Sequence, residues 1–382
     1  MQTHTDQQRV IIQDIATGHR GITIDWDDGH VSEFHFSWLR DNCRCSACWH
    51  PQAQERLFDA LAITSELIPS AVRNDSEGTL IIDWDGHESI YDPTWLRQHC
   101  YSASERARRL VAPTLWNSTL AANPPKVSYE SIMSGDAGLA NWLKLISEYG
   151  FALMHGGPAM PGEIANVVQK IANLRATNYE PVYDVQSKPD PNSIAYTAVE
   201  LKPHNDLTNR FASGVIQFLY CIESTATGGD SILVDGFSAA HEFRRRDADG
   251  FSLLTSTPLD FRFQDQTTDI QNKAPIIALD LEGNIFQIRY NHALLGPLDV
   301  ASELVEPIYA AYRTFTHIVR DPDFQLNLRL DPGDMMAFNN LRVLHGRGSF
   351  NPQSGRRHLQ GCYVDIEDFQ SRLKVLQRQT TS

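Results

Sequence analysis

The sequence predicts a mainly β protein with interspersed helices, in two domains. A small β-rich module is expected over residues 1–110, a connector over 111–130, and a larger strand-rich domain over 131–382. Three observations lead there. A diverged internal repeat of hairpin-like units fills the N-terminal part. A stretch holding Pro113, Asn117, Ser118, Pro124 and Pro125 then disfavours any long regular element. Beyond it run many short apolar segments bounded by turn residues, the pattern of a sandwich or barrel carrying insertions.

The repeat sets the first module. Ile24-Asp25-Trp26, Gly29-His30, Trp38-Leu39-Arg40 and Cys43 recur as Ile82-Asp83-Trp84, Gly86-His87, Trp95-Leu96-Arg97 and Cys100. Asp28-Gly29 and Asp85-Gly86 are suitable hairpin turns. The connector opens on an Arg-rich helical pattern, Ser102 to Val111. In the larger domain, Ala140–Tyr149 reads as an amphipathic helix stopped by Gly150, and Phe151–Met154 as a strand. Pro161–Leu174 is a second helix, with proline near its start. Strands follow at Ser193–Thr197, Gly214–Cys221, Ser231–Val234, Pro275–Leu279, Ile285–Tyr290, Gln325–Leu330, Met335–Phe338 and Arg357–Val364, with helices at Ser238–Arg246 and Ala301–Arg320.

Composition narrows the function classes. The 382 residues include 33 Lys+Arg against 47 Asp+Glu, a formal charge of −14. An acidic chain without a basic tract is a poor partner for nucleic acid or anionic membrane. The 42% hydrophobic content is ample for packed cores. No apolar run approaches the roughly 20 residues of a membrane-spanning helix, and the polar start lacks a signal-peptide core. A cytoplasmic protein is expected. No G-x-S-x-G, Walker A, H-E-x-x-H or complete dinucleotide fingerprint occurs, so hydrolase, P-loop and Rossmann readings lose their usual support.

Two clusters could carry metal. Cys43-x-Cys45-x-x-Cys48 places three thiolates on one tight loop, three corners of a tetrahedral zinc site. His30, His87, Cys100 and His50 are candidates for the fourth, and spacing leaves them open. Such a closed site is structural. Cys100, Cys221 and Cys362 are otherwise unassigned. The second cluster is His204-Asn205-Asp206. Residues i and i+2 of an extended segment project to one side, and His345 from another strand would complete a two-histidine, one-carboxylate face. That face leaves positions open and suits non-haem Fe(II) with an oxygen substrate. Arg357 offers a guanidinium fork for a buried carboxylate, and the Thr227-Gly-Gly-Asp-Ser231 turn aims Ser231 toward the same place.

The order His-x-Asp, Gly-Gly-Asp-Ser, His, then Arg about a dozen residues later resembles the Fe(II)/2-oxoglutarate-dependent oxygenases. Trp38-Leu-Arg-Asp-Asn-Cys-Arg-Cys-Ser-Ala-Cys48, Val234-Asp-Gly-Phe237 and Leu344-His-Gly-Arg347 narrow the resemblance to γ-butyrobetaine and trimethyllysine dioxygenases, from about residue 20 onward. It implies a double-stranded β-helix (jelly-roll) oxygenase domain behind a zinc-binding domain. Zn(II) would sit on Cys43, Cys45, Cys48 and His87, and Fe(II) on the catalytic His204, Asp206 and His345. Arg357 would bind 2-oxoglutarate, helped by Ser231, with O₂ as oxidant and a homodimer as assembly. An aromatic cage for a trimethylammonium group would draw on Tyr179, Tyr183, Tyr196 and Tyr363.

At the substrate's other end the sequence departs from the family. Asn291 matches one family asparagine. Ser193 stands where another is expected, and Leu207 replaces a tyrosine beside Asp206. Asn205, Asn209, Arg210, Arg289 and His292 add polar groups nearby. Extra donors such as Arg289 lean the expectation toward 2-(trimethylammonio)ethylphosphonate, with γ-butyrobetaine hydroxylation (carnitine formation) as the alternative. Ser187–Asn192 reads as a lid. A non-catalytic zinc-binding scaffold and a metal-dependent hydrolase are the readings from other classes.

Overall fold

The computed structural model describes residues 10–63, 66–75, 78–109, 112–187 and 197–379. The chain divides into two compact units, Met1–Ala112 and Pro113–Ser382.

The first unit is a duplication at the level of backbone and hydrogen bonds. Strands Ile12–Thr17, Gly21–Trp26 and Val31–His35 form one antiparallel sheet, followed by helix Phe36–Asp41. Strands Ala71–Asn74, Leu80–Trp84 and His87–Tyr91 form the other, followed by helix Pro93–Gln98. Each copy thus has one strand more than the hairpin expected. Alternation explains the packing: Ile22, Ile24 and Trp26 point one way, Leu80, Ile82 and Trp84 do the same in their copy, and all six share one core. The indole N–H of Trp26 donates to Ser32 Oγ at 2.9 Å, and that of Trp84 to Ser89 Oγ at 2.9 Å.

The second unit holds two facing sheets. The six-stranded sheet runs Val182–Val185, Arg357–Asp365, Val215–Ser224, Met335–Asn339, Phe151–His155, Lys126–Ser128, antiparallel except for its last pair. The four-stranded sheet runs Leu201–His204, Val343–Arg347, Ser231–Asp235, Gln325–Leu328. Both faces of strand Val215–Ser224 are buried from Val215 to Cys221, so that stretch is apolar except for Gln217. Phe218 and Tyr220 meet the helices Asp136–Tyr149 and Ile366–Gln379 through Trp142, Leu143 and Phe369. Leu219 and Cys221 point the other way, into a layer with Leu233, Leu326, Met336 and Leu359. Helices Gly236–Arg246, Ala248–Ser256 and Ser302–Arg320 build a separate core around Phe243 and Phe315.

Several expectations are corrected. The helix expected over 161–174 is confined to Glu163–Val168, because Gly162 takes a left-handed φ of 88° immediately before it. Leu201–His204 and Val343–Arg347 are strands that were not expected. Pro203 masks the first and a run of polar and glycine residues ends the second. The expected strand Ser193–Thr197 lies almost wholly outside the described residues. Among the described residues no helix is long and apolar enough to cross a membrane.

Candidate active site and metal centres

In the first unit, His87 Nε2 lies 3.3 Å from Cys43 Sγ, 3.9 Å from Cys45 Sγ and 3.6 Å from Cys48 Sγ. The four donor atoms fall within 4.8 Å of one another. Three thiols and one imidazole at this spacing have the chemistry of a closed tetrahedral zinc site. The loop is tight because Cys48 N–H donates to the Cys45 carbonyl at 3.0 Å. Burial pushes the Cys48 thiol up to about 11, the cost a thiolate bears there without a cation.

The other copy shows what became of the matching position. His30 Nε2 lies 3.3 Å from Cys100 Sγ, the counterpart of the His87–Cys43 contact. Each copy therefore lends its histidine to the other copy's cysteine. Where the first loop has Cys45 and Cys48, the second has Ser102 and Glu105. Arg40 donates to Cys48 Sγ at 3.2 Å, and its counterpart Arg97 pairs with Glu105 at 3.1 Å. An ion pair stands where two thiolates would be. This gives Cys100 a partner that the sequence reading left unassigned.

In the second unit, strand register assembles the other cluster. His204 ends its strand directly opposite His345 on the neighbouring strand, with ring centroids 4.4 Å apart. Asp206 follows on the next loop, whose backbone is held by Asn340: Asp206 N–H donates to Asn340 Oδ1 at 2.9 Å, and Asn340 Nδ2 donates to the Asp206 carbonyl at 2.8 Å. The three donor atoms lie within 4.8 Å of one another. His204 Nδ1 sits 2.9 Å from the Lys202 carbonyl, which leaves Nε2 with its lone pair toward the cluster. Burial and the neighbouring His204 push the His345 imidazole down to about 3, so it is neutral and able to ligate near pH 7. Burial alone would raise Asp206, but the two imidazoles and the Tyr363 hydroxyl outweigh it and hold the carboxyl well below its usual range.

Asn205, in the middle of this motif, turns away from the metal face. Its amide donates to the Asn340 and Val343 carbonyls at 2.8 and 3.2 Å, and its oxygen accepts from Tyr290 N–H at 3.0 Å. Leu207 takes a left-handed φ of 57°, a conformation costing a leucine about 1 kcal/mol, and packs against Tyr183 and Tyr363.

The cluster opens on a cavity of about 850 Å³. Ser231, Arg357, Tyr179, Tyr183, Asn291 and Tyr363 all line it. Arg357 Nε donates to the Gly229 carbonyl at 3.1 Å, and no carboxylate lies within ion-pair distance of it among the described residues. Burial pushes its guanidinium down to about 10. A half-buried arginine with no carboxylate in ion-pair contact, beside a two-histidine, one-carboxylate face, fits a carboxylate-bearing co-substrate. Gly229 is required there: its φ is +78°, and a Cβ would meet Arg357 Cδ at 3.0 Å.

Tyr183 stands between Tyr179 and Tyr363, with centroid separations of 5.9 and 5.4 Å. It lies over Gly361, where a Cβ would strike its ring at 2.5 Å. Phe263 adds a wall 6.4 Å from Tyr179 that the sequence did not mark. Gln217 lines the cavity and was also missed: a lone glutamine in an apolar strand carries no motif. Tyr196, Ser193 and nearly all of the expected lid, 188–192, lie outside the described residues.

Arg289 is placed differently from expectation. It is buried, its Nη1 donates to the Thr208 and Arg210 carbonyls at 2.9 Å each, and it does not line the cavity. Its charge braces the loop after Asp206 from behind, where a substrate anion in the cavity does not meet it.

The comparisons with known proteins agree with this geometry. Residues 112–363 match the family described as taurine catabolism dioxygenase TauD, TfdA family, and residues 14–84 match the γ-butyrobetaine hydroxylase-like N-terminal family. The chain belongs to the TauD/TfdA family of dioxygenases. A γ-butyrobetaine dioxygenase of Pseudomonas sp. (strain AK-1) is 39% identical over 94% of this chain and 94% of its own. The Homo sapiens γ-butyrobetaine dioxygenase is 32% identical, over 92% of this chain and 93% of its own. A mitochondrial trimethyllysine dioxygenase of Gallus gallus is 32% identical, over 91% and 84%.

Proposed function

We propose that this enzyme hydroxylates γ-butyrobetaine. The observation that carries the reading is the tyrosine wall, Tyr179, Tyr183 and Tyr363, standing in the same cavity as His204, Asp206 and His345. Aromatic faces attract a quaternary ammonium, which has no hydrogen to donate. Identity of 39% across 94% of a γ-butyrobetaine dioxygenase supports the same substrate. The lean toward a phosphonate rested on Arg289 as an extra donor, and that guanidinium is spent on backbone carbonyls outside the cavity. Asn291 is the polar group we assign to the substrate carboxylate; its Nδ2 donates to the Asn205 carbonyl at 3.1 Å, which fixes its orientation.

In this reading the two sheets are the halves of a double-stranded β-helix. His204, Asp206 and His345 hold Fe(II), which supplies activation of O₂ when bound. Arg357 and Ser231 orient 2-oxoglutarate, and the tyrosine wall fixes which substrate C–H faces the metal. The balance is one substrate C–H, O₂ and 2-oxoglutarate giving one alcohol, succinate and CO₂. Cys43, Cys45, Cys48 and His87 hold a structural Zn(II). A homodimer is the assembly that the family resemblance implies. The test is succinate formation with γ-butyrobetaine, trimethyllysine and 2-(trimethylammonio)ethylphosphonate. The highest kcat/KM is expected with γ-butyrobetaine; a clear preference for the phosphonate would overturn the assignment.

A further inference from the structure

The row of side chains behind Asp206 joins the tyrosine wall to the metal face. The two oxygens of Asp206 have different neighbours, although Oδ2 also lies 3.9 Å from His345 Nε2. Oδ1 lies 3.3 Å from His204 Nε2, on the metal side. Oδ2 accepts two hydrogen bonds of 2.8 Å, from Gln217 Nε2 and from Tyr363 OH. Gln217 Nε2 also reaches Tyr183 OH at 3.3 Å.

Strand geometry makes this row. Gln217 pairs in register with Tyr363 on the adjacent strand, and Tyr183, on the strand beyond, pairs with Gly361 of that same adjacent strand. Period-two alternation turns Gln217 to the cavity while its neighbours Ile216 and Phe218 enter the apolar core on the other face. Gln217 is 1% exposed. Its amide orientation is fixed by charge: facing Asp206 with Oε1 would set two acceptors against each other. Its Oε1 is buried without a partner among the described residues, so the contacts of Nε2 alone hold the amide in place. Burying an amide in this way costs free energy, and the two hydrogen bonds it donates are the compensation.

We propose that Gln217 and Tyr363 are positioning residues that, through their two hydrogen bonds to Oδ2, fix the orientation in which the Asp206 carboxylate would meet a bound iron, and that they carry occupancy of the tyrosine wall to that ligand. The second half rests on the substrate reading above. A quaternary ammonium against the Tyr363 ring draws electron density from the phenol and makes its O–H a stronger donor to Oδ2. Charge withdrawn through Oδ2 is charge that the carboxylate no longer gives the metal. An iron held by Asp206 would then be a stronger Lewis acid when the wall is occupied. Neither residue touches the reacting atoms for this purpose; both act through Asp206.

The test uses the full-length enzyme, kept anaerobic. Fe(II) affinity of the native enzyme, Gln217→Leu and Tyr363→Phe is measured by titration, with zinc content and thermal melting confirming that each variant is folded. Both variants are expected to weaken Fe(II) binding about tenfold. The Fe(II)/2-oxoglutarate charge-transfer band is then followed as γ-butyrobetaine is added to saturation, and its binding is measured independently by calorimetry. In the native enzyme the band shifts on saturation. In Tyr363→Phe, which keeps the aromatic face, γ-butyrobetaine still binds but the shift is lost. Native-like Fe(II) affinity in both variants would overturn the positioning role, and an unchanged shift in Tyr363→Phe would overturn the coupling. If the native enzyme does not bind γ-butyrobetaine, the substrate reading fails, while the Fe(II) titrations still decide the positioning role.

Discussion

The two donor clusters differ in how many positions the protein fills. At Cys43, Cys45, Cys48 and His87 it supplies four donors, three of them from one short loop, and nothing is left open. At His204, Asp206 and His345 it supplies three, and the remaining directions face a cavity of about 850 Å³. The first arrangement suits an ion that holds a fold together; the second suits one that must receive co-substrate and O₂. On the proposed reading, donor count rather than donor strength would separate a structural centre from a catalytic one.

The largest test of that contrast is to remove a donor from each. Asp206→Ala is expected to cut turnover on the order of a thousandfold or more, since the metal supplies several kcal/mol of transition-state stabilisation. Its zinc content and melting temperature should stay near native. Cys43→Ser should do the reverse, losing zinc and destabilising the first unit as seen by hydrogen exchange, because structural zinc binding is folding free energy. Chelation sharpens the comparison without mutation. Dialysis against a mild chelator should strip iron and leave zinc, and activity should return with Fe(II) alone; loss of both metals at the same rate would contradict the open-versus-closed contrast.

Smaller effects probe the cavity. Arg357→Lys replaces a planar fork with a point charge and is expected to raise the 2-oxoglutarate KM about tenfold to a hundredfold, with Fe(II) affinity little changed. Tyr179→Leu removes one aromatic face and should raise the γ-butyrobetaine KM about tenfold, as expected for roughly 1–2 kcal/mol of cation–π attraction. The smallest test concerns the duplication. The native chain should carry one zinc, because Ser102 and Glu105 replace two thiolates; the double variant Ser102→Cys, Glu105→Cys should carry two by elemental analysis.

The two donor clusters were legible in the sequence because their chemistry is scarce: cysteines crowded into six positions and a His-x-Asp pair stand out from any background. The repeat was legible because tryptophans, glycines and arginines recur at a fixed offset. The crossing of histidines between the two copies was not, since spacing treated His30 and His87 alike and only the packed core decides which loop each one meets. Gln217 and Phe263 left no signal, because a single polar or aromatic residue in a strand takes its meaning from the strands beside it. Arg289 misled for the same reason. Proximity to Asn291 in sequence suggested the cavity, but the strand has ended at Ile288 before Arg289, and its guanidinium went to the carbonyls of Thr208 and Arg210 in the loop behind.

The central claim is that the open cluster and the tyrosine wall act together in one oxygenation. The measurement that tests it most directly is turnover of γ-butyrobetaine under isotopically heavy O₂, with alcohol, succinate and CO₂ quantified together. The account predicts one succinate and one CO₂ per hydroxylated product, with heavy oxygen entering both the succinate and the new hydroxyl. Product formed without consumption of 2-oxoglutarate, or a hydroxyl oxygen drawn entirely from water, would contradict it.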